Sequence, residues 1–277
     1  MTRLFGVIGH PIDHSLSPVM HQAAYEALGI DAYYGRFDVP PSELRAVLQA
    51  LMRVGCEGLN VTVPLKEKVV RLANGGLSET ARAMGAVNTL CVRRGKLYGE
   101  NTDGAGFRRA LTELGWKGGR GHAVILGAGG SARAVAWELS RARSARVTIA
   151  NRTLARGRKL AAWLRKQRPY AQVEAVALGA VSLDQADVLV NTTSVGMDSR
   201  DGLIVNPTSL RRGMIVYDLV YHRRTKLVQE ASARGCVAAG GTSMLLYQGA
   251  ASFELWLRRR APIEAMRRAL NAALMRA

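Results

Sequence analysis

The fold of this chain is decided near its middle by the stretch Val124-Ile125-Leu126-Gly127-Ala128-Gly129-Gly130-Ser131-Ala132. An apolar strand-like run leads directly into Gly127-x-Gly129-x-x-Ala132, and a helix-forming sequence follows, which is the context of a dinucleotide-binding turn. Gly127 permits the tight turn, Gly129 lets a pyrophosphate approach the backbone, and Ala132 is small enough for close helix packing. Tight turns also use glycine without any ligand, but here the flanking strand and helix favour a nucleotide site.

The second strand of this unit ends at Thr148-Ile149-Ala150-Asn151-Arg152-Thr153. An NAD-specific site would place an acidic residue here to bind the ribose 2′-hydroxyl, and this chain has none. Arg152 and Arg156 match a 2′-phosphate in charge and fork geometry, so NADP is favoured over NAD, although Arg156 also fits a solvated helix face. The predicted cofactor residues of the turn and the strand end are Gly127, Ala128, Gly129, Gly130, Ser131, Ala132, Asn151, Arg152, Thr153 and Arg156.

Strand-like runs alternate with helix-like segments around this motif, which predicts an α/β unit. We expect its strands over residues 122–126, 146–150, 173–176, 188–191, 214–219 and 237–239, with helices between most of them. This order predicts a doubly wound, Rossmann-type sheet. The segment at 191–197 ends one strand at its carboxyl edge, and we interpret it as lining the cofactor site, although a polar turn has a similar sequence.

The first hundred residues also alternate strand-like and helix-like segments and predict a βαβαβ beginning. Short runs at 88–92 and 97–101 flank Arg94-Gly95-Lys96, which indicates a hairpin. Helical patterns at 243–258 and 263–275 have no strand after them, and we expect them to fold back onto this domain. We therefore predict an α/β protein of two domains: a first domain of residues 1–103, completed by 240–277, and an NADP-binding domain of residues 104–239.

Composition narrows the possible functions. Hydrophobic residues make up 48% and charged residues 22% of the 277 residues, which is typical of a globular protein and excludes a disordered or fibrous one. The net charge of +18 is spread along the chain without a basic tail, so we expect steering of anionic small molecules and no nucleic-acid partner.

Three scattered cysteines and the histidines lack metal-ligand spacing, so we expect no metal. No run is apolar enough for a membrane span, and we expect a cytoplasmic protein.

Three polar clusters in the first domain each follow a strand-like segment, so we expect all three to face one cleft. They occupy residues 9–18, 60–66 and 99–104. Their hydroxyl and amide groups suit a small polyhydroxylated ligand better than an apolar one. Ser17 before Pro18 and Asp103 before a helix also fit N-caps, and from the residues alone capping is favoured for both.

Seven motifs occur in order along nearly the whole chain. They are His14-Ser15-Leu16-Ser17-Pro18, Asn60-Val61-Thr62-Val63-Pro64-Leu65-Lys66, Gly85-Ala86-Val87-Asn88-Thr89, Asn101-Thr102-Asp103-Gly104, Gly127 to Ala132, Asn151-Arg152-Thr153 and Met244-Leu245-Leu246-Tyr247-Gln248. Together they resemble the motifs of the shikimate dehydrogenase family. Any one of them can arise by chance, but seven in register are specific and point to function as well as fold.

The resemblance implies an NADPH-dependent enzyme that reversibly reduces 3-dehydroshikimate to shikimate in aromatic amino-acid biosynthesis. Lys66 and Asp103 would form the catalytic pair. As hydride reaches the ketone carbon, the developing alkoxide needs a proton and a nearby positive charge, and an ammonium group supplies both. The substrate residues that the resemblance implies are Ser15, Ser17, Asn60, Thr62, Lys66, Asn88, Asp103 and Gln248.

The chain departs from the family pattern on the nicotinamide side. His222 and Arg223 stand where the family commonly has Asn-Pro, and Gly240-Gly241-Thr242-Ser243 replaces a more usual Asp-Gly start to the helix. These changes leave the catalytic pair intact and affect the loop contacts to the cofactor. The further cofactor residues implied are Thr192, Leu219, Tyr221, Gly241 and Met244.

Two alternative functions remain open from the sequence. The first is a quinate/shikimate dehydrogenase of broader substrate or cofactor use, since one added hydroxyl need not be strongly rejected. The second is a non-catalytic, nucleic-acid-binding or regulatory protein on the same fold, against which Lys66 and Asp103 argue. The expected partner is the small-molecule substrate, and the expected assembly is a monomer or homodimer.

Overall fold

The computed structural model describes residues 2–118, 121–143 and 145–276. The chain forms two compact units, one of Met1–Thr102 with Leu246–Ala277 and one of Asp103–Leu245. Each unit contains one six-stranded sheet with helices, which confirms the predicted α/β class.

The first unit begins with the expected βαβαβ arrangement, because its parallel strands β1, β2 and β3 are joined by helices. Two later strands, β5 and β6, pair antiparallel and confirm the predicted hairpin. The sheet order is β2-β1-β3-β5-β6-β4, in which the two-residue β4 was not expected from the sequence. The elements are β1 (Arg3–Gly9), α1 (Ser17–Ala27), β2 (Ala32–Asp38), α2 (Leu44–Arg53), β3 (Cys56–Val61), β4 (Gly76–Leu77), α3 (Glu79–Met84), β5 (Thr89–Arg93) and β6 (Lys96–Glu100).

Two C-terminal helices complete the described part of the chain, namely α8 (Thr242–Leu257) and α9 (Ile263–Leu274), and α9 packs against α1. On α8, the indole Nε1 of Trp256 donates a 2.9 Å hydrogen bond to the carbonyl oxygen of Leu90 in β5. A Cβ atom at Gly58 would collide with this indole, so the absent side chain at that position lets the helix approach the sheet.

The second unit is a parallel, doubly wound sheet of order β12-β11-β10-β7-β8-β9, the strand order of a Rossmann-type fold. The topological switch point lies between β7 and β10, from which the chain winds outward in both directions. Short 3₁₀ turns at Leu178–Ala180 and Pro207–Ser209 stand where further helices would complete the pattern. The elements are α4 (Asp103–Glu113), β7 (Gly121–Leu126), α5 (Gly130–Leu139), β8 (Ala145–Asn151), α6 (Leu154–Gln167), β9 (Gln172–Ala177), β10 (Val188–Asn191), β11 (Ile215–Asp218), α7 (Lys226–Ala233) and β12 (Val237–Ala239).

Some features are absent from the described part of the chain. None of its helices is both long and apolar enough to cross a membrane. Within the same residues, no group of three or more His, Cys, Asp or Glu side chains could hold a metal ion. Cys56 and Cys91 are buried and Cys236 is half-buried, and all three thiols are free.

His21 on α1 is a fully buried titratable group in the first unit. Its ring stacks on that of Tyr34 in β2, with centroids 4.4 Å apart and planes 5° from parallel. Neither ring nitrogen has a hydrogen-bond partner among the described residues. Burial lowers the pKa of His21 from 6.5 to about 3, because the apolar surroundings disfavour the imidazolium.

This burial predicts an acid-sensitive fold. The unfolded chain binds a proton at His21 near pH 6.5, but the folded chain does so only near about pH 3. The free energy of unfolding therefore has its full value above pH 6.5 and decreases as the pH falls from 6.5 towards about 3. Within this pH range His21 should contribute a slope of about 1.4 kcal/mol per pH unit to the free energy of unfolding. Urea unfolding of the protein and of His21→Phe between pH 7 and pH 4 measures it, and parallel pH profiles would contradict the prediction.

Candidate active site

The carboxyl-end loops of the first sheet are joined by a buried network around the Asn88 amide. Thr102 forms hydrogen bonds with both ends of this amide. Asn88 Oδ1 accepts from the Thr102 backbone nitrogen at 2.8 Å, and Asn88 Nδ2 donates to Thr102 Oγ1 at 2.9 Å. Nδ2 also lies 3.3 Å from Oε1 of Gln248 on α8. Asn88, Thr102 and Gln248, from three separate segments, are thus brought together at one end of the sheet.

Asn60 is the penultimate residue of β3, and both the oxygen and the nitrogen of its side-chain amide form hydrogen bonds. The hydroxyl of Tyr34 donates to Oδ1 at 2.7 Å, and Nδ2 donates to Oγ of Ser252 on α8 at 2.8 Å. The side chain is buried, so these bonds replace the water that the amide would otherwise bind. The orientation of the Asn60 amide is therefore fixed by the fold.

Ser15 and Ser17 are both buried where α1 begins. The expectation that Ser17 caps this helix is wrong, because Leu16 is the N-cap residue and makes no side-chain cap bond. Ser17 is already the first helical residue, followed by Pro18, and its backbone nitrogen lies 3.4 Å from Oγ of Ser15. The Ser15 hydroxyl therefore lies beside the Ser17 backbone, beyond the carboxyl end of β1.

Thr62 and Lys66 follow β3 in a turn, and both side chains are half-buried. The carbonyl oxygen of Thr62 accepts from the backbone nitrogen of Leu65, and that of Lys66 accepts from the nitrogen of Val87 at 2.9 Å. The second bond joins the backbone of Lys66 to Val87, the residue before Asn88. The turn after β3 is therefore held beside the Asn88 segment within the first unit.

Asp103 is buried and is the first residue of α4 in the second unit, so it lies inside the helix and not before it as an N-cap. The residue before it, Thr102, is bonded to Asn88 and donates to the carbonyl oxygen of Gln248 at 3.1 Å. Asn101 in turn donates to the carbonyl oxygen of Ala86. The chain that leads into Asp103 is therefore held by hydrogen bonds to two segments, residues 86–88 and the turn of α8 that carries Gln248.

The glycine-rich turn of the second unit has the conformation of a nucleotide-binding turn. Gly127 has a φ of 110°, and a Cβ atom there would collide with the Thr192 hydroxyl, which itself donates to the carbonyl oxygen of Leu126. Gly129 is the N-cap of α5, and the space around Gly129 and Gly130 is open. Open backbone N–H groups at a helix N-terminus are well suited to bind a phosphate. Ala128, Ser131 and Ala132 complete this turn, with Ala132 fully buried.

Arg152 and Arg156 are exposed beyond the end of β8, on either side of the N-terminus of α6. Asn151 shapes this corner, since its Nδ2 donates to the carbonyl oxygen of Thr153 at 2.8 Å. Thr153 is the N-cap residue of α6 and makes no side-chain cap bond. The corner therefore presents two guanidinium groups beside backbone N–H groups, a combination that suits a phosphate monoester.

A buried hydrogen-bonded cluster fixes the loops that follow β10 and β11. The Asp218 carboxylate accepts from Asn191 Nδ2 at 3.0 Å, from the Thr225 hydroxyl at 2.8 Å and from the backbone nitrogen of Val220 at 3.1 Å. Burial raises the pKa of the Asp218 carboxyl, and the three donors oppose this shift. On the other side, Asn191 Oδ1 accepts from the nitrogen and the hydroxyl of Thr193, which orders the segment after Thr192.

The remaining predicted cofactor residues lie where β11 and α8 meet. Gly241 approaches the backbone of Leu219 so closely that a Cβ atom would collide with it. The backbone nitrogen of Met244 donates to the hydroxyl of Tyr217 at 3.0 Å. Burial raises the pKa of Tyr217 to about 12, so this phenol stays protonated. Burial also raises the pKa of Tyr221.

Tyr34 and Ser252 in the first unit, and Thr225 in the Asp218 cluster, were not predicted from the sequence. For Ser252 a signal exists, because it lies four residues after Gln248 and so on the same face of α8. Tyr34 lies on a different strand from Asn60, and nothing in the sequence around it indicates the hydrogen bond.

Known proteins resemble this chain over its whole length. Three sequence families match it: "Shikimate dehydrogenase substrate binding domain" over residues 7–90, "Shikimate / quinate 5-dehydrogenase" over 112–206 and "Shikimate 5'-dehydrogenase C-terminal domain" over 241–270. A shikimate dehydrogenase (NADP(+)) of Methanopyrus kandleri is 43% identical, with 97% of this chain and 95% of that protein covered.

Solved structures of two dehydrogenases also resemble this chain over nearly its whole length. A shikimate 5-dehydrogenase of Thermus thermophilus, in complex with NADP(H) and shikimate, is 36% identical, with a TM-score of 0.89 and 98% and 100% of the two chains covered. A quinate dehydrogenase of Corynebacterium glutamicum, in complex with NAD, is 31% identical, with a TM-score of 0.91 and 98% and 99% covered.

The Asp218 cluster predicts a stability effect. In Asp218→Ala, three buried donors lose their acceptor, which should lower the free energy of unfolding by about 2–4 kcal/mol. Asp218→Asn is the matched control, because it keeps the volume and one acceptor oxygen and should lose less than about half as much. Urea denaturation at pH 7 measures both variants, and equal losses would contradict the role assigned to the carboxylate.

Proposed function

This chain belongs to the shikimate dehydrogenase family, and on that premise we propose that it catalyses the reversible, NADPH-dependent reduction of 3-dehydroshikimate to shikimate, a step in aromatic amino-acid biosynthesis. The observation that carries the proposal is the relationship to NADP-dependent shikimate dehydrogenases across both units, at 43% identity in the Methanopyrus kandleri protein. The residues of both units supply the chemistry that this reaction needs.

The glycine-rich turn and the corner after β8 fit NADP. The open backbone at Gly129 and Gly130 leaves room for the pyrophosphate, and the N-terminal amides of α5 can donate to it. Arg152 and Arg156 would bind the 2′-phosphate, and both are exposed, so binding does not require a buried guanidinium. When bound, the nicotinamide supplies or accepts the hydride. The other cofactor contacts we propose are Gly127, Ala128, Ser131, Ala132, Asn151, Thr153, Thr192, Leu219, Tyr221, Gly241 and Met244.

The buried hydroxyl and amide groups of the first unit would hold the polyhydroxylated substrate. The hydroxyls of Ser15 and Ser17 would bind its carboxylate, because two O–H donors can share one anion. Asn88 and Gln248 are held in fixed orientations by each other and by Thr102, so they would bind hydroxyl groups without first being ordered. The residues that we propose to contact or orient the substrate are Ser15, Ser17, Asn60, Thr62, Lys66, Asn88, Asp103 and Gln248.

Lys66 and Asp103 would carry the proton chemistry. In the reducing direction the Lys66 ammonium donates a proton to the oxygen of the ketone as negative charge develops there, and its positive charge stabilises that oxygen. Asp103 orients the ammonium and shares its proton. In the oxidising direction the same atoms act in reverse, with neutral Lys66 taking the hydroxyl proton.

Initial-rate assays test the proposed function. The purified protein is given shikimate or quinate, each with NADP and with NAD, and formation of the reduced cofactor is followed. Rapid turnover only with shikimate and NADP is the expected result. Comparable rates with quinate or NAD would instead indicate a dehydrogenase of broader specificity, and no turnover with any combination would reject the proposed function.

Replacing Lys66 should separate chemistry from binding. In Lys66→Ala the proton donor is lost, so kcat for shikimate oxidation should fall about 10²- to 10⁴-fold while the KM for shikimate changes far less. Lys68→Ala is the matched control, because Lys68 is an exposed lysine two residues further along the same turn. A Lys66→Ala enzyme with the kcat of the control would remove Lys66 from the mechanism.

Replacing Arg152 should change the choice of cofactor. In Arg152→Ala the KM for NADP should rise by about tenfold, with NAD use little changed, because only NADP carries the 2′-phosphate. Arg158→Ala, which removes another exposed arginine of the same helical segment, controls for the loss of one positive charge. If the KM values for both cofactors rise equally in Arg152→Ala, this arginine is not a 2′-phosphate contact.

A further inference from the structure

Ser252 is a fully buried serine on α8, and neither the family motifs nor the proposed catalytic roles include it. It lies one helical turn after Gln248, and its hydroxyl donates to the Gln248 carbonyl oxygen at 3.0 Å. A serine that bonded only to the preceding turn would be an ordinary helical serine. Ser252 makes further contacts with residues distant in the sequence, which this ordinary role does not explain.

The Ser252 hydroxyl joins α8 to the ends of two strands of the first sheet. Asn60 Nδ2 donates to it at 2.8 Å, and this is the shortest hydrogen bond of that nitrogen. The hydroxyl of Thr89 in β5 is also 2.8 Å away, and that of Thr102 is 3.3 Å away. Ser252 thus contacts every segment that contributes to the Asn88 network.

The chemistry of each group decides which atoms donate and which accept a hydrogen bond in this cluster. Asn60 Oδ1 accepts from Tyr34, so its amide presents Nδ2 to Ser252 and the serine oxygen must accept. The Ser252 proton goes to the Gln248 carbonyl oxygen, and the neighbouring Thr89 hydroxyl donates to Asn88 Oδ1 at 3.0 Å. Ser252 therefore accepts from Asn60 and donates to Gln248, because an amide nitrogen only donates and a carbonyl oxygen only accepts.

The hydrogen bonds of Ser252 join two residues that we propose to bind or orient the substrate. The Thr102 backbone N–H orients the Asn88 amide, whose Nδ2 therefore faces Thr102 Oγ1 and Gln248 Oε1. Ser252 holds the Asn60 amide against the turn of α8 that carries Gln248.

We propose that Ser252 is a positioning residue for substrate binding: its hydroxyl joins the Asn60 amide to the turn of α8 that carries Gln248 and so holds both residues in place for the substrate. The inference rests on the proposed function, because it assigns Ser252 a role in binding that substrate. It acts through its neighbours, since its side chain is fully buried and bonded within the network.

Ser252→Ala tests the proposal with little change in volume. Loss of the hydroxyl removes the shortest hydrogen bond of Asn60 Nδ2 and the bond to the Gln248 carbonyl oxygen. The Asn60 amide and the turn that carries Gln248 are then held less firmly. We expect the KM for shikimate to rise by about tenfold, with kcat and the KM for NADP changed by less than about twofold. A purely structural role would lower the melting temperature without this selective change in the shikimate KM.

Ser140→Ala is the matched control, because Ser140 is equally buried, makes a single bond to the carbonyl oxygen of Trp137 and lies in the second unit. Its KM for shikimate should equal that of the unmodified protein. If Ser252→Ala shows the shikimate KM of this control while the unmodified protein turns over shikimate, the inference fails and the proposed function stands. If the unmodified protein does not turn over shikimate, both fail.

A double-mutant cycle tests whether Ser252 acts through Asn60. In the Asn60→Ala background, Ser252→Ala should change kcat/KM for shikimate by less than about twofold, because the amide that the serine holds is already absent. Two effects that multiply to give the double variant would show that Ser252 acts independently of Asn60, and this result would overturn the proposed route.

Discussion

The structure depends on one constraint, that polar groups buried at the carboxyl ends of strands must find hydrogen-bond partners inside the protein. An unsatisfied buried amide or carboxylate costs about 1–3 kcal/mol or more, a large part of the stability of a domain. Each sheet has such groups along the edge where its parallel strands end: Asn60 in β3 and Asn88 just before the antiparallel β5 in the first unit, and Asn191 and Asp218 in the second. Several of their partners lie in the loops that follow the strands, so these bonds also set the conformations of those loops.

This constraint connects stability to function. The loop after β6 is bonded to Asn88 through Thr102, and the loops after β10 and β11 are joined through Asp218. Ligand-binding groups on such loops are ordered before the ligand arrives, which lowers the entropic cost of binding. The arginines beyond β8 are different, because they are exposed and would bind through charge and geometry. The proposed substrate residues Asn60 and Asn88 are thus held by buried hydrogen bonds, and the proposed 2′-phosphate residues by their position at a helix N-terminus.

The sequence predicted most of the fold because hydrophobic periodicity and turn residues are local signals. The alternating strands, the hairpin around Arg94 and the glycine-rich turn all follow from neighbouring residues. The two-residue β4 has too few residues to show a period. The N-cap expectation for Ser17 failed because the helix already includes it. Ser252 was missed for another reason: its partner Asn60 is 192 residues away in sequence, and only the folded chain brings them together.

The central claim is that the protein transfers a hydride between NADP and a polyhydroxylated ring acid. Its most direct test is to incubate the protein with 3-dehydroshikimate and NADPH that carries deuterium at both positions of the nicotinamide C4, and then to identify the product by mass spectrometry and NMR. The account predicts shikimate with a single deuterium on the carbon that was the ketone. Unlabelled shikimate, or no shikimate at all from a folded protein, would contradict it.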